Sequence, residues 1–162
     1  MYAQNGVGLA APQIGENYRV FVIDASTGNE PLNPMVFINP KIIKKSGAVI
    51  SHEGCLSFPE AFTDVKRYAN VMVKAMDRNG RSFVLEAKDG TLLARAIQHE
   101  FDHLDGVLFI DHVINRFEAE EVLKKNNLPS LDVDRILDEP ELSKEIEVLL
   151  KEKIANEAEK EA

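Results

Sequence analysis

Cysteine is scarce in this sequence, because only one of its 162 residues, Cys55, is a cysteine. One cysteine cannot form a disulfide within the chain, and stable disulfides are typical of oxidising compartments. The sequence therefore predicts a reducing, cytosol-like location. It also excludes the structural zinc sites that are built from several cysteines.

Long apolar runs are also lacking. No stretch approaches the roughly 20 apolar residues that a membrane-spanning helix needs. The first residues do not combine a basic segment with an apolar one, as a secretory signal does. We therefore expect neither a membrane span nor a signal peptide, and the length suffices for one domain with a core.

An excess of positive charge is lacking as well. The formal net charge is −8, and residues 118–162 carry 14 acidic and 7 basic side chains. This balance argues against broad attraction to nucleic acid or to anionic lipid. We expect no direct nucleic-acid partner and no membrane contact. No repeat or low-complexity tract precedes this acidic segment.

The sequence does contain the motif QHEFDH at residues 98–103. In a helix successive residues turn by about 100°, so His99 and His103 lie on one face, about one turn apart, and can hold one metal ion. Glu100 lies close by without being a ligand and can act as a general acid or base on water. An apolar run precedes the motif, and Gly106 provides a helix stop. The alternative is a buried helix that carries two histidines by coincidence.

A third metal ligand has to come from elsewhere, because a catalytic metal usually takes three protein ligands and leaves one position open. Asp111 and His112 lie downstream, but their spacing does not match known metallopeptidase patterns. Cys55 lies upstream, and a thiolate with two imidazoles suits Fe(II), Zn(II), Co(II) or Ni(II) better than Mg or Ca. His52 is three residues from Cys55 on a predicted strand and should point to the other face. The alternative for Cys55 is a small buried hydrophobe.

A glycine-rich stretch at residues 6–15 leaves its backbone open to close approach. Its spacing matches neither a dinucleotide fingerprint nor a phosphate-binding P-loop. Gln13 is its functional side chain, and its amide can bind an oxyanion together with the backbone N–H of Leu56, beside a metal held by Cys55. A purely structural loop is the alternative.

The predicted elements are strands first and helices afterwards, which is typical of an α+β fold rather than of repeated βαβ units. Strands are predicted at 19–24, at 35–39 and 41–45 with a break at Pro40, at 70–76 and 82–87 as a hairpin, and at 107–110. Helices are predicted at 91–105, at 118–125 and from Glu139 onward. We expect mostly antiparallel sheets around the helix that carries the two histidines. The C-terminal helix has an apolar stripe, formed by Leu142, Ile146, Leu149, Leu150 and Ile154.

Three stretches together resemble the signature motifs of peptide deformylases: GVGLAAPQ at 6–13, EGCLS at 53–57 and QHEFDH at 98–103. The resemblance runs over residues 1–117. It implies a metal-dependent hydrolase that removes the formyl group from the N-terminal formyl-methionine of nascent peptides and releases formate. The implied metal ligands are Cys55, His99 and His103. The implied catalytic groups are the acid/base Glu100 and the oxyanion donors Gln13 and Leu56.

The resemblance also implies Fe(II) as the ion in cells, Zn(II), Ni(II) or Co(II) in its place after purification, and one ion per chain. It pairs Glu53 with Arg67 as a partnered acid and base, with two unrelated surface charges as the alternative. We expect an extended peptide to lie along a sheet edge at Val7 and Gly8. The expected walls of the methionine pocket are Val7, Leu92, Ala96 and the His99 ring.

We divide the chain into a catalytic domain at 1–117 and an acidic helical extension at 118–162. Members of the resembled family carry a further strand and most of a helix before the glycine-rich stretch, so we expect the N-terminal part of the domain to be truncated. The implied partners are nascent formylated peptides, and a ribosome contact would not run through a basic tail. The implied location is the bacterial cytoplasm, with an organelle stroma or matrix as the alternative.

Two other classes of function remain open from the residues. A different metallohydrolase, such as a metallopeptidase, would use the same helix but not Cys55. A non-catalytic binding module that keeps only the fold would tolerate loss of Glu100, so the presence of Glu100 favours an enzyme.

Overall fold

The computed structural model describes residues 1–26, 28 and 30–161, so that Thr27, Asn29 and Ala162, the last residue of the predicted extension, lie outside the described residues. Within these ranges one antiparallel sheet has its strands in chain order: β1 (Gly8–Ala10), β2 (Val20–Ile23), β3 (Met35–Cys55), β4 (Phe58–Met76) and β5 (Ser82–Ala87). The helices are α1 (Leu92–Leu104), α2 (Arg116–Lys125) and α3 (Pro140–Glu161). The predicted α+β class, the mostly antiparallel sheet and the C-terminal helix are confirmed.

The hairpin of β4 and β5 follows from its turn residues. The Asp77 carboxylate accepts the backbone N–H groups of Asn79 at 2.8 Å and Arg81 at 2.9 Å, which closes the turn. Gly80 has a φ of 75°, a left-handed conformation that glycine adopts without strain. The hairpin was predicted at these residues.

The predicted break at Pro40 is wrong, because β3 runs through it as one strand of 21 residues. The register to β4 shifts between Ile38 and Lys41, and Asn39 takes a φ of 50° there. This irregularity lets the strand continue past a residue that has no N–H to donate.

The predicted strand at 107–110 is also wrong. A 3₁₀ turn, Phe109–His112, lies there instead. The Asp111 carboxylate accepts the backbone N–H of Leu108 at 2.8 Å and thereby caps the turn. Phe109 and Ile110 are buried as they would be in a strand, but they lie in this turn.

Two apolar clusters make up the core. The first lies between α1 and the inner face of the sheet, where the rings of Phe21 and Phe37 stack at 4.7 Å. The second surrounds Cys55 and takes Ala119 and Leu123 from α2. The sulfur of Cys55 therefore meets α1 at the seam between the clusters. The division at 117 and 118 stays a prediction.

Helix α1 is held in place by its ends and by one side chain. Thr91 caps it by accepting the N–H of Ala94 at 3.4 Å, and Gly106, with a φ of 72°, follows its last turn. The Gln98 amide donates to the carbonyl oxygen of Tyr68 at 2.9 Å and accepts the Tyr68 N–H at 3.0 Å. Gln98 thereby fixes the helix along β4.

Helix α3 docks on the domain through its first half. Leu142 and Ile146 are 1% and 4% exposed, whereas Ile154 is 65% exposed. The predicted apolar stripe is thus fully buried near the start of α3, half-buried at Leu149 and Leu150, and exposed at Ile154. None of the helices in the described ranges is both long and apolar enough to cross a membrane.

Candidate active site

Three side chains bring their ligand atoms together where β3 ends beside α1. One ligand atom each from Cys55, His99 and His103 lies within 4.8 Å of the others. The Cys55 sulfur is 3.3 Å from Nε2 of His103, and the two imidazole rings are 4.9 Å apart between centroids. Within the described residues no other group of histidine, cysteine and carboxylate side chains meets the same criterion.

The Cys55 thiol is prepared to lose its proton. Burial alone would raise its pKa, but hydrogen bonds from His103 and His99 lower the pKa to about 5. A thiolate is the form of cysteine that binds metals. The lone cysteine is therefore a candidate ligand rather than an inert buried side chain.

Glu100 lies beside these ligands with an unusual environment. It is 4% exposed, and its Oε2 has no hydrogen-bond partner among the described residues. Burial raises its pKa to about 7, against the opposing charges of His99 and His103. A carboxyl group with a pKa near neutrality can both accept and donate a proton.

Gly8 explains how the carboxylate of Glu100 fits. A Cβ at position 8 would lie 2.3 Å from Oε1 of Glu100. Gly8 was expected to leave room for a peptide, and it also leaves room for the Glu100 carboxylate. This contact could be inferred from the sequence only by knowing that β1 lies against α1.

Gln13 has a fixed orientation. Its Oε1 accepts the backbone N–H of Ala10 at 2.8 Å, and its Nε2 lies 3.2 Å from the Ser57 hydroxyl and 3.6 Å from the Cys55 sulfur. The amide therefore presents its N–H groups to the ligand cluster. Leu56 follows Cys55 in the turn between β3 and β4 and lines a cavity beside the ligand cluster.

Behind the ligands lies a buried group of charged side chains. Nδ1 of His99 is 3.2 Å from Oε2 of Glu53, so Nε2 is the ring nitrogen that can bind a metal ion beside Cys55. Arg67, 2% exposed, donates to Glu53 from Nε at 3.1 Å and from Nη2 at 2.9 Å. Burial would raise the pKa of Glu53, but the Arg67 charge holds it far below its usual range. The two side chains are a buried pair, not separate surface charges.

The sequence did not indicate that Asp102 and His112 belong to this group. Asp102 accepts from Nη1 of Arg67 at 2.5 Å and from Nε2 of His112 at 2.9 Å. His112 and Asp111, which were weighed as third ligands, lie outside the ligand cluster. His52 is also outside it, with Nδ1 2.7 Å from Oδ1 of Asp64. Only the position of Asp102 inside the QHEFDH motif could have suggested from the sequence that it lies near the metal ligands.

A cavity of about 700 Å³ opens beside the ligand cluster. The residues expected to contact a peptide, Val7, Gly8, Leu92 and Ala96, all line it together with His99 and Glu100. Arg95 and Phe62 also line it and were not expected. The Arg95 guanidinium donates to the Ser51 hydroxyl at 2.8 Å, so one wall is polar.

Comparisons with known proteins show the family of this chain. The family model described as polypeptide deformylase matches residues 1–119. Peptide deformylase 1 of Clostridium perfringens is 55% identical over 112 residues, which are 69% of this chain and 73% of that protein. Peptide deformylase of Thermodesulfovibrio yellowstonii is 50% identical over 113 residues, 70% of this chain and 67% of that protein.

The fold agrees as well. The crystal structure of a peptide deformylase from Synechococcus elongatus in complex with actinonin aligns with a TM-score of 0.75 at 45% identity. The alignment covers 86% of this chain and 73% of that one. With its motifs, its ligand cluster and its fold in agreement, the chain belongs to the polypeptide deformylase family.

Proposed function

We propose that this chain removes the formyl group from the N-terminal formyl-methionine of nascent polypeptides and releases formate. One observation carries the proposal: three ligand atoms lie within 4.8 Å of one another beside the buried, unpartnered carboxylate oxygen of Glu100. Membership of the family supports the same reaction. A non-catalytic binding module would have no use for a buried carboxylate without a partner.

A divalent metal ion fits the donor set of Cys55, His99 and His103. A thiolate and two imidazoles suit Fe(II), Zn(II), Co(II) and Ni(II), and three protein ligands are typical of catalytic sites. We assign Fe(II) as the ion in cells, one per chain, with Zn(II), Ni(II) or Co(II) as substitutes in purified protein. When bound, such an ion supplies Lewis acidity that acidifies water and polarises a carbonyl group.

Glu100 holds and moves the proton in this proposal. Its carboxylate accepts a proton from the attacking water and later donates it to the departing amine. Its pKa near 7 suits both transfers. Glu53 and Arg67 do not react; they orient the ring of His99 through its Nδ1.

Gln13 and Leu56 stabilise the negative charge that develops on the formyl oxygen. The carbonyl oxygen of the Gln13 side chain is engaged by Ala10, so its Nε2, 3.6 Å from the Cys55 sulfur, is the group that would donate to the formyl oxygen. The backbone N–H of Leu56, directly after Cys55, is the second donor. Donors that are already in place need no reorganisation during the reaction.

The peptide is proposed to bind along β1, with Gly8 and Val7 contacting its backbone. This strand pairs with β2 on one side and stands at the edge of the described sheet, so an extended chain can add to it by main-chain hydrogen bonds. Such bonds do not depend on the peptide sequence. Leu92 and Ala96 form the apolar wall for the methionine side chain.

The substrate sets where the enzyme works. Formylated chains are made in the bacterial cytoplasm, which we propose as the location, with an organelle stroma or matrix as the alternative. A ribosome contact would not use direct RNA binding through the extension, because residues 118–162 carry twice as many acidic as basic side chains.

The decisive experiment measures formate release from a formyl-methionyl peptide by anaerobically prepared protein loaded with Fe(II). Zn(II), Ni(II) and Co(II) forms of the same preparation compare the metals, and the matching acetyl-methionyl peptide is the control substrate. We expect formate from the first peptide and little hydrolysis of the second. Folded, metal-loaded protein that releases no formate, or that cuts internal peptide bonds instead, would contradict the proposal.

A further inference from the structure

The charged group behind the metal ligands extends to the C-terminal helix. Its inner end is Glu53, which contacts Nδ1 of His99 and pairs with Arg67. Arg67 also pairs with Asp102, whose Oδ2 accepts from Nε2 of His112. Positive and negative side chains thus alternate from the metal site outwards.

The outer end of this series is Glu139, the residue directly before α3. Its Oε2 is 3.5 Å from Nδ1 of His112. Both atoms are buried, and neither has a hydrogen-bond partner among the described residues. The Glu139 carboxylate and the His112 imidazole therefore face each other at ion-pair distance.

The start of α3 is anchored so that Glu139 reaches this place. Lys66 donates from Nζ to the carbonyl oxygen of Leu137 at 2.9 Å and to the Ser143 hydroxyl at 3.1 Å. Lys45 lies 3.6 Å from Oε1 of Glu139. The segment that begins α3 therefore presents the Glu139 carboxylate to the buried His112 imidazole, and Leu142 is buried beside it in the first turn.

The arrangement of a buried series of charged side chains depends on the residues at its two ends. Arg67 is 2% exposed and His112 is 6% exposed, so neither can be compensated fully by solvent. Removing one partner from such a series leaves a buried group unsatisfied and makes its neighbours rearrange. The rearrangement can reach the ligands through Glu53, which contacts Nδ1 of His99.

We propose that Glu139 and His112 are positioning residues, which hold Asp102 and Arg67 and thereby keep Glu53 where it orients the metal ligand His99. The segment that begins the C-terminal helix then takes part in building the metal site, although Glu139 pairs with His112 and not with a ligand. The inference rests on the proposed metal site, but its test needs no peptide substrate.

The test compares Glu139→Gln with Glu141→Gln, the same change two residues further on at an exposed position. Zn(II) affinity is measured by competition with a chelator, and the absorption bands of the Co(II) form report the ligand geometry. We expect Glu139→Gln to weaken Zn(II) binding roughly threefold to tenfold, less than the roughly 10- to 100-fold typical of direct partners of a ligand. The Co(II) bands should shift in this variant and not in Glu141→Gln.

Two further variants separate positioning from simple docking. Ser143→Ala removes one anchor of α3 without touching the charged series, and it should leave Zn(II) affinity unchanged. His112→Gln should weaken binding as Glu139→Gln does, and the double variant should be no weaker than His112→Gln alone, because both act through one route.

Equal Zn(II) affinity in Glu139→Gln and Glu141→Gln would overturn the inference. So would an equal loss in Ser143→Ala, which would mean that docking alone matters. All of these readouts concern metal binding. If Glu139→Gln alters Zn(II) affinity but the unsubstituted protein releases no formate, this inference is supported and the proposed function is rejected.

Discussion

Helices α1 and α3 differ in the kind of side chain that they bury. Helix α1 has 13 residues, and its buried ones include Gln98, Glu100 and His103, each polar. Helix α3 has 22 residues, and it buries the apolar Leu142 and Ile146 near its start. Burying polar groups is costly unless each has a partner or a function. The short helix carries the proposed chemistry, whereas the long helix is attached to the domain through apolar side chains near its start.

The polar face of α1 needs Cys55 to become a metal site. Cys55→Ala leaves two imidazoles, which do not complete the usual set of three ligands. We expect metal content by elemental analysis to fall to background and activity to be lost with it, whereas Cys55→Asp should keep a weakened site. Full metal stoichiometry in Cys55→Ala would remove Cys55 from the ligand set.

Glu100→Gln tests the proposed catalytic role of Glu100 separately from the stability of the fold. The change keeps the shape and removes the base, so turnover should fall by roughly 100- to 10,000-fold while metal content survives. The unfolding midpoint should not fall, because one carboxylate oxygen has no hydrogen bond to lose. Rates of formate release and thermal melting of the same sample measure both, and near-normal turnover would assign the proton transfer to another group.

Leu142→Ala tests the attachment of α3. Its side chain is 1% exposed, so the substitution leaves a cavity and should reduce the free energy of unfolding by about 2–5 kcal/mol. Urea denaturation monitored by circular dichroism measures the loss. If α3 unfolded separately from the domain, two transitions would replace one.

Gln98→Leu asks whether every polar residue of α1 serves the chemistry. Gln98 exchanges two hydrogen bonds with the backbone of the half-buried Tyr68, and leucine would remove the partner of that N–H and of that carbonyl oxygen. We expect a loss of about 1–3 kcal/mol in unfolding free energy with nearly unchanged metal affinity. A large loss of metal with no loss of stability would place Gln98 with the ligands instead.

The difference between the helices also explains what could be predicted from the sequence. The ligand cluster was predictable because His99 and His103 have helical spacing and Cys55 stands in a distinct motif. The resemblance paired Arg67 with Glu53, but the further pairs of Arg67 with Asp102 and of His112 with Glu139 were not predictable, because these residues meet only through long-range packing. Local patterns record periodicity, whereas buried charge partners depend on the tertiary fold.

Strand and turn errors have a similar cause. The apolar segment at 107–110 has the composition of a strand, but the side chain of Asp111 competes for its backbone and makes a 3₁₀ turn. The proline at position 40 was expected to end a strand, and the long pairing of β3 with β4 carried the strand past it.

Ile154→Ala has the smallest expected effect and tests the comparison most directly. Ile154 belongs to the apolar stripe on the sequence, yet it is 65% exposed on the half of α3 that extends past the docked turns. Because little apolar surface is buried there, the free energy of unfolding should change by no more than about 0.5 kcal/mol. The matched variant Leu142→Ala removes a similar side chain from the same helix and supplies the large effect. Urea denaturation of both variants should therefore distinguish the docked part of the stripe from its exposed part. If Ile154→Ala reduced the free energy of unfolding by more than about 2 kcal/mol, the stripe would pack along its whole length in solution.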